Sequence, residues 1–115
     1  KLQSDQVEEL ADACASEGVD ALVAGQPPVG AYLVGERLVS GPVGGAAALP
    51  FTLRALSAIG KRQLDLPVIA SGGIRSVTDA RWCLELGACA VEVRSLLWTD
   101  PDSAASLSSQ LAALP

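Results

Sequence analysis

The stretch Leu66-Pro67-Val68-Ile69-Ala70-Ser71-Gly72-Gly73-Ile74-Arg75-Ser76 constrains this chain more than any other, because a short apolar run passes through two glycines into a helix start. A parallel strand covered on both faces reads as such an uninterrupted, partly β-branched run. Glycine has no Cβ, so backbone amides at Gly72 and Gly73 can approach an oxyanion closely, beside the positive end of the helix that follows. Two readings stay open at this point: a phosphate cradle, or a bare turn from strand to helix. Residues 88–95 form a second candidate strand, whose end can close on the same anion, and this favours the cradle.

The rest of the chain alternates in the same way. Ser4 or Asp5 is placed to cap a first helix, in which Val7, Leu10, Ala11 and Cys14 keep helical spacing until Gly18. Residues 19–24 read as a strand. Residues 25–49 read as a loop, with Pro27-Pro28 and several glycines, and with room for a short hairpin or strand within 32–39. A loop of this length is expected to be functional or mobile. Pro50 suits the first turn of a second helix, where its missing N–H is harmless, with Leu53, Leu56 and Ile59 or Gly60 as the buried stripe. Residues 67–71 are the second strand.

Ser76 and Asp79 have the spacing of a shortened capping box for a third helix, which turns Ala80, Cys83 and Leu84 to the core and ends at Gly87. Residues 89–93 are the third strand. Asp100-Pro101 reads as cap and first residue of a last helix, with Ala104, Leu107, Leu111 and Leu114 on one face. A helix followed by three strand-helix units predicts an α/β fold: a parallel sheet with its helices outside.

With 115 residues, half of them apolar, residues 1–115 are expected to form one small domain with a real core. A net charge of −5 without a basic stripe argues against nucleic acid as partner. No apolar run approaches the roughly 20 residues needed to span a bilayer, and no cationic start precedes an apolar segment. A cytoplasmic protein meeting a small-molecule substrate, not a membrane, is the expectation. There is no histidine, and Cys14, Cys83 and Cys89 lack metal-ligand spacing, so neither a metal site nor a histidine-based catalyst is expected. The thiols are assigned to packing, and Glu8, Glu9, Asp12 and Glu17 to the wet face of the first helix. Arg81 and Glu85, four apart, are placed to pair. The chain has no methionine, even at position 1, which suggests a segment of something longer.

Residues 66–101 resemble the closing end of the barrel in dihydroorotate dehydrogenases. The resemblance rests on Gly72-Gly73-Ile74, Asp79-Ala80, Leu86-Gly87-Ala88, Ala90-Val91-Glu92-Val93 and Asp100-Pro101. Ser40-Gly41-Pro42 and Pro50 with Leu53-Arg54 resemble the loop and helix that precede this segment in the family. The implied fold is a partial (β/α)8 TIM barrel, with a helix followed by three parallel βα units. Three strands cannot close a barrel that takes eight strands and about 250 residues. A partner is therefore expected: the missing N-terminal half of the barrel, or another subunit.

The resemblance further implies FMN as cofactor and the oxidation of dihydroorotate to orotate in pyrimidine biosynthesis. Its phosphate would lie between Gly72-Gly73 and the strand-end pair Arg94-Ser95, with Ser71 ending the strand beneath, and Gly25, Gln26 and Gly41 flanking the ribityl chain or the ring. No catalytic residue is assigned within the chain, since the family's base and its flavin-contacting lysine lie on the earlier part of the barrel. The chain departs from the family pattern in three places: Arg94 replaces a glycine, Gly25-Gln26 replaces Asn with Ser or Thr, and residues 40–50 carry extra Gly and Ala. Arg94 either clamps the phosphate or fills its place. Two other functions remain open beside the flavin enzyme: a phosphate-binding barrel of another reaction class, and a non-catalytic assembly domain descended from the dehydrogenase barrel.

Overall fold

The computed structural model describes residues 6–25 and 27–115; the expected cap at Ser4 or Asp5 lies outside the described residues. Helix α1 spans Val7–Ser16, and the chain leaves it through Gly18 at φ +74°, a left-handed conformation that glycine adopts freely. Strand β1 is short, Leu22–Ala24. A hairpin follows, β2 Val29–Val34 against β3 Arg37–Pro42, joined by Gly35-Glu36 with Gly35 at φ +61°. Glycine at the first position of a two-residue turn matches the strand twist. This ribbon occupies much of the interval expected to be loop, and it extends beyond the hairpin or strand foreseen within 32–39. The alternation that marks a half-buried strand is missing there, because nearly every residue from Val29 to Pro42 is exposed.

A 3₁₀ turn at Gly45–Ala48 leads into α2, Leu49–Lys61, with Pro50 in its first turn. Strand β4 runs Val68–Ser71, α3 runs Val77–Glu85, β5 runs Ala90–Glu92, a second 3₁₀ turn spans Ser95–Trp98, and α4 is Ser103–Ala112. The sheet has the order β1-β4-β5, parallel throughout, with Ala24 beside Ala70 and Ser71 beside Glu92. This is the α/β arrangement the alternation predicts, a partial (β/α)8 barrel wall.

Only one face of the wall is filled. Ala24, Val68 and Ala70 point into a core with Leu56, Ile59, Ile74, Ala80 and Cys83. On the opposite face Val23 is 52% exposed, and Ala90 and Glu92 are exposed as well. The central strand β4 alternates buried and half-buried residues, so its apolar run is long enough for two covered faces while this chain covers one.

The helix stripes need four corrections. In α2 the inward residues are Thr52, Leu56 and Ile59, with Leu53 half-buried and Gly60 exposed. In α3 Ala80 and Cys83 are buried, but Leu84 sits on the flank at 37% exposure. The final helix starts two residues later than Pro101, because the Asp102 amide donates to the Asp100 carboxylate at 3.2 Å and spends those residues in a turn. Its inward stripe is accordingly Ser103, Leu107 and Leu111, leaving Ala104 and Leu114 exposed. Among the cysteines Cys83 is buried and Cys14 half-buried, whereas Cys89 is exposed and takes no part in the core.

Candidate functional site

The C-terminal ends of three parallel strands meet at Gly25, at Ser71-Gly72-Gly73 and just before Arg94-Ser95. Crevices at such strand ends are where α/β sheets bind ligands. Gly25 and the β4 end touch: a Cβ on Gly25, at φ +126°, would fall 1.6 Å from the Ser71 carbonyl oxygen. Gly72 and Gly73 both have positive φ, +119° and +79°. Their missing side chains face α2, since a Cβ on Gly72 would stand 2.8 Å from Thr52 Oγ1 and one on Gly73 would stand 2.2 Å from the Leu49 nitrogen. Both glycines are thus required by the packing of the turn as well as suited to a cradle.

The turn also presents donors. Gly73 is buried and Ile74 is 2% exposed, yet among the described residues neither amide donates a hydrogen bond to a backbone or side-chain acceptor. Buried amides without a partner are rare in folded proteins. A phosphate oxygen at the strand ends would satisfy them, so the residues present fit the phosphate of FMN. The passage from the turn into α3 is capped: the Arg75 and Ser76 amides each donate to Asp79 Oδ2 at 3.0 Å, and the Asp79 amide donates to Ser76 Oγ at 3.1 Å. The capping box read from the sequence is therefore complete: it takes up the Arg75, Ser76 and Asp79 amides, while those of Val77 and Thr78, like the Gly73 and Ile74 amides, have no acceptor among the described residues.

Arg94 is exposed, has no ion-pair partner among the described residues, and immediately precedes the 3₁₀ turn that begins at the half-buried Ser95, without a side-chain capping bond. Gly41 lies in β3 of the second, two-stranded sheet, where it pairs with Gly30. Gln26 lies outside the described residues.

Sequence reasoning passed over Thr52. This side chain is 2% exposed, and its hydroxyl lies 3.0 Å from the Ser71 carbonyl oxygen and 2.9 Å from that of Gly72. A threonine among the apolar positions of the α2 stripe was the available signal. Ala48 and Leu49 were missed for a different reason: they are featureless in sequence, and only the fold brings the α2 entrance against the glycine turn.

A family model for dihydroorotate dehydrogenase matches residues 18–114. The chain is 35% identical over 95 residues to the dihydroorotate dehydrogenase B (NAD(+)) catalytic subunits of Thermotoga petrophila and Thermotoga maritima, a match covering 83% of this chain and 35% of each relative. It is 39% identical over 62 residues to the corresponding subunit of Cutibacterium acnes, covering 54% of this chain and 20% of the relative. The chain thus spans about a third of the length of the Thermotoga relatives. Among solved structures, the Eimeria tenella dihydroorotate dehydrogenase in complex with ferulenol superposes with a TM-score of 0.78 at 24% identity, over 96% of this chain and 31% of that one. That likeness concerns the fold.

Proposed function

The chain belongs to the dihydroorotate dehydrogenase family, and from that premise we propose that residues 1–115 form the part of an FMN-dependent barrel that holds the flavin phosphate. The observation that carries this reading is the pair of amides at the buried Gly73 and Ile74 that have no partner among the described residues, placed at the strand ends next to Arg94-Ser95. FMN, when bound, supplies a hydride acceptor for the oxidation of dihydroorotate to orotate, a step of pyrimidine biosynthesis.

The chain's own residues bind and orient. The Gly73 and Ile74 amides donate to phosphate oxygens, and a bonded oxyanion is worth more to a buried amide than water is. Ser95 approaches from the neighbouring strand end. The Arg94 guanidinium is the nearest cation in sequence to that strand end and neutralises phosphate charge, a part that glycine at this position would leave to the backbone. Ser71, Gly25, Gln26 and Gly41 serve the ribityl chain and the ring, with Gly25 keeping the β1 end free of a side chain beside Ser71. No residue of this chain is assigned to proton transfer.

The open sheet face at Val23, Ala90 and Glu92 supports a partner, which we take to be the rest of the barrel or another subunit. The relatives are named as catalytic subunits linked to NAD(+); we extend that electron acceptor to the present protein. Among the described residues no helix is long and apolar enough to cross a membrane, and we place the protein in the cytoplasm with its soluble cofactor.

The test is FMN titration of the protein completed by the rest of its barrel, followed by flavin fluorescence. Saturable quenching with bleaching on addition of dihydroorotate is the expected result. A completed protein that stays colourless and takes up no FMN would sink the proposal.

A further inference from the structure

We propose that Thr52 is a positioning residue whose hydroxyl holds the Gly72-Gly73 turn so that the Gly73 amide, one of the two assigned to the phosphate, faces the anion. This rests on the phosphate reading above and adds a residue from α2 to it. Thr52 Oγ1 has one proton to donate and faces the carbonyl oxygens of Ser71 at 3.0 Å and Gly72 at 2.9 Å, so the two share it; the carbonyl of Ala48, one turn back, is 3.4 Å away. Every described peptide bond is trans. In a planar trans peptide the C=O and the following N–H point in opposite directions. Holding the Ser71 and Gly72 carbonyls on the Thr52 side therefore turns the Gly72 and Gly73 amides to the other side.

For the Ser71-Gly72 peptide the other side can be named. The Ser71 oxygen lies against Gly25 at the β1 end, and β4 is the middle strand, so the Gly72 amide points toward β5, whose continuation carries Arg94 and Ser95. The Gly73 amide points away from the Thr52 hydroxyl. Two glycines at positive φ have unusual freedom to rotate their peptide planes. A flip would bury the amide against α2 and present a carbonyl oxygen to the anion, which repels it. The shared hydroxyl proton holds the turn against that flip, and valine, of the same shape, could not.

Binding of FMN and of riboflavin, which lacks the phosphate, is to be measured on the protein completed by the rest of its barrel, in wild type, Thr52→Val and Thr52→Ser. The expected result is that Thr52→Val weakens FMN about tenfold while riboflavin affinity stays within about twofold, and that Thr52→Ser restores FMN binding. FMN affinity unchanged in Thr52→Val, with wild type binding normally, overturns the role of Thr52 and leaves the phosphate site standing. Equal losses for FMN and riboflavin overturn it too, since the hydroxyl would then merely hold the fold. Wild type with no preference for FMN over riboflavin removes the underlying site as well. Should Thr52→Val not fold, Thr52→Ala against Thr52→Ser makes the same comparison, because these two differ only in the hydroxyl.

Discussion

Gly73 lies so close to the first turn of α2 that a methyl group placed on it would stand 2.2 Å from the Leu49 nitrogen and 2.7 Å from its Cα. The turn at the end of β4 is therefore a joint between strand and helix before it is anything else. Gly73→Ala meets both an unfavourable φ of +79° and a backbone that cannot move aside. Strain and overpacking together are expected to cost about 3 kcal/mol, read as a lowered midpoint in urea unfolding. Gly87→Ala is the control. It shares a positive φ, +100°, but has nothing within 4 Å of the added methyl, so about 1 kcal/mol is expected. Equal losses at the two sites would show that packing against Leu49 is unimportant. A bulky residue at Gly73 cannot by itself probe the anion site, because it disturbs the joint.

Asp79 separates helix capping from anion binding. Its carboxylate accepts from the Arg75 and Ser76 amides at 3.0 Å each and places a negative charge beside the turn assigned to the phosphate. Removing it in Asp79→Ala is expected to destabilise the fold by about 1 kcal/mol, the usual worth of a cap, and to strengthen FMN binding a few-fold by relieving repulsion and freeing two donors. Thermal melts and flavin titration on the same variant give both numbers. Weaker FMN binding at intact stability would mean that the carboxylate orients the turn instead of opposing the anion.

What could be read from the sequence divides along physical lines. Local chemistry was legible: Ser76 and Asp79 form their capping box, Pro50 sits in the first turn of α2, and Gly18 and Gly87 leave their helices at positive φ. The three parallel strands follow from apolar runs spaced by helices. Long-range approach was not legible. Nothing in Leu49 or Ala48 announces that they will lie on Gly73 and Gly72, and Thr52 reads as one polar break in an apolar stripe until its hydroxyl is seen between two carbonyls. The hairpin was only half visible because its residues bury neither face, so the period-two pattern that betrays a strand never formed. The ion pair from Arg62 to Asp12 joins residues 50 apart, beyond the reach of any spacing rule.

Cys83 provides a pH test. Burial pushes its thiol above the ordinary 9.0, and the nearby Asp79 charge adds to the shift. A folded-state value above the unfolded one means that the unfolded chain loses its proton first as pH rises. The stabilising contribution is therefore complete below about pH 9 and is lost as pH climbs through the folded-state value. Wild type is expected to lose stability above pH 9 more steeply than Cys83→Ala, measured as urea midpoints across pH 8 to 10. Under native conditions a thiol reagent should modify the exposed Cys89 first and Cys83 only on unfolding. Fast labelling of Cys83 at neutral pH would contradict its burial.

The hairpin and the open sheet face predict how the 115-residue chain behaves by itself. Tyr32 is 77% exposed, Leu33 61% and Leu38 64%; Leu33 and Leu38 are cross-strand neighbours on one face of the ribbon and Tyr32 pairs with Val39 on the other, and among the described residues the outer edges of the ribbon pair with no further strand. Edges and patches of this kind recruit other chains. The isolated chain is expected to bind the dye ANS and to elute well above 11.7 kDa in size-exclusion chromatography. Because these side chains make few contacts within the chain, Leu33→Lys with Leu38→Glu should leave its unfolding midpoint nearly unchanged, within about 0.5 kcal/mol, while shifting elution toward the monomer. In the protein completed by the rest of its barrel the same pair is expected to weaken assembly if the ribbon is covered there. A double variant that still associates as wild type would move the sticky surface from the hairpin to the open face at Val23 and Ala90.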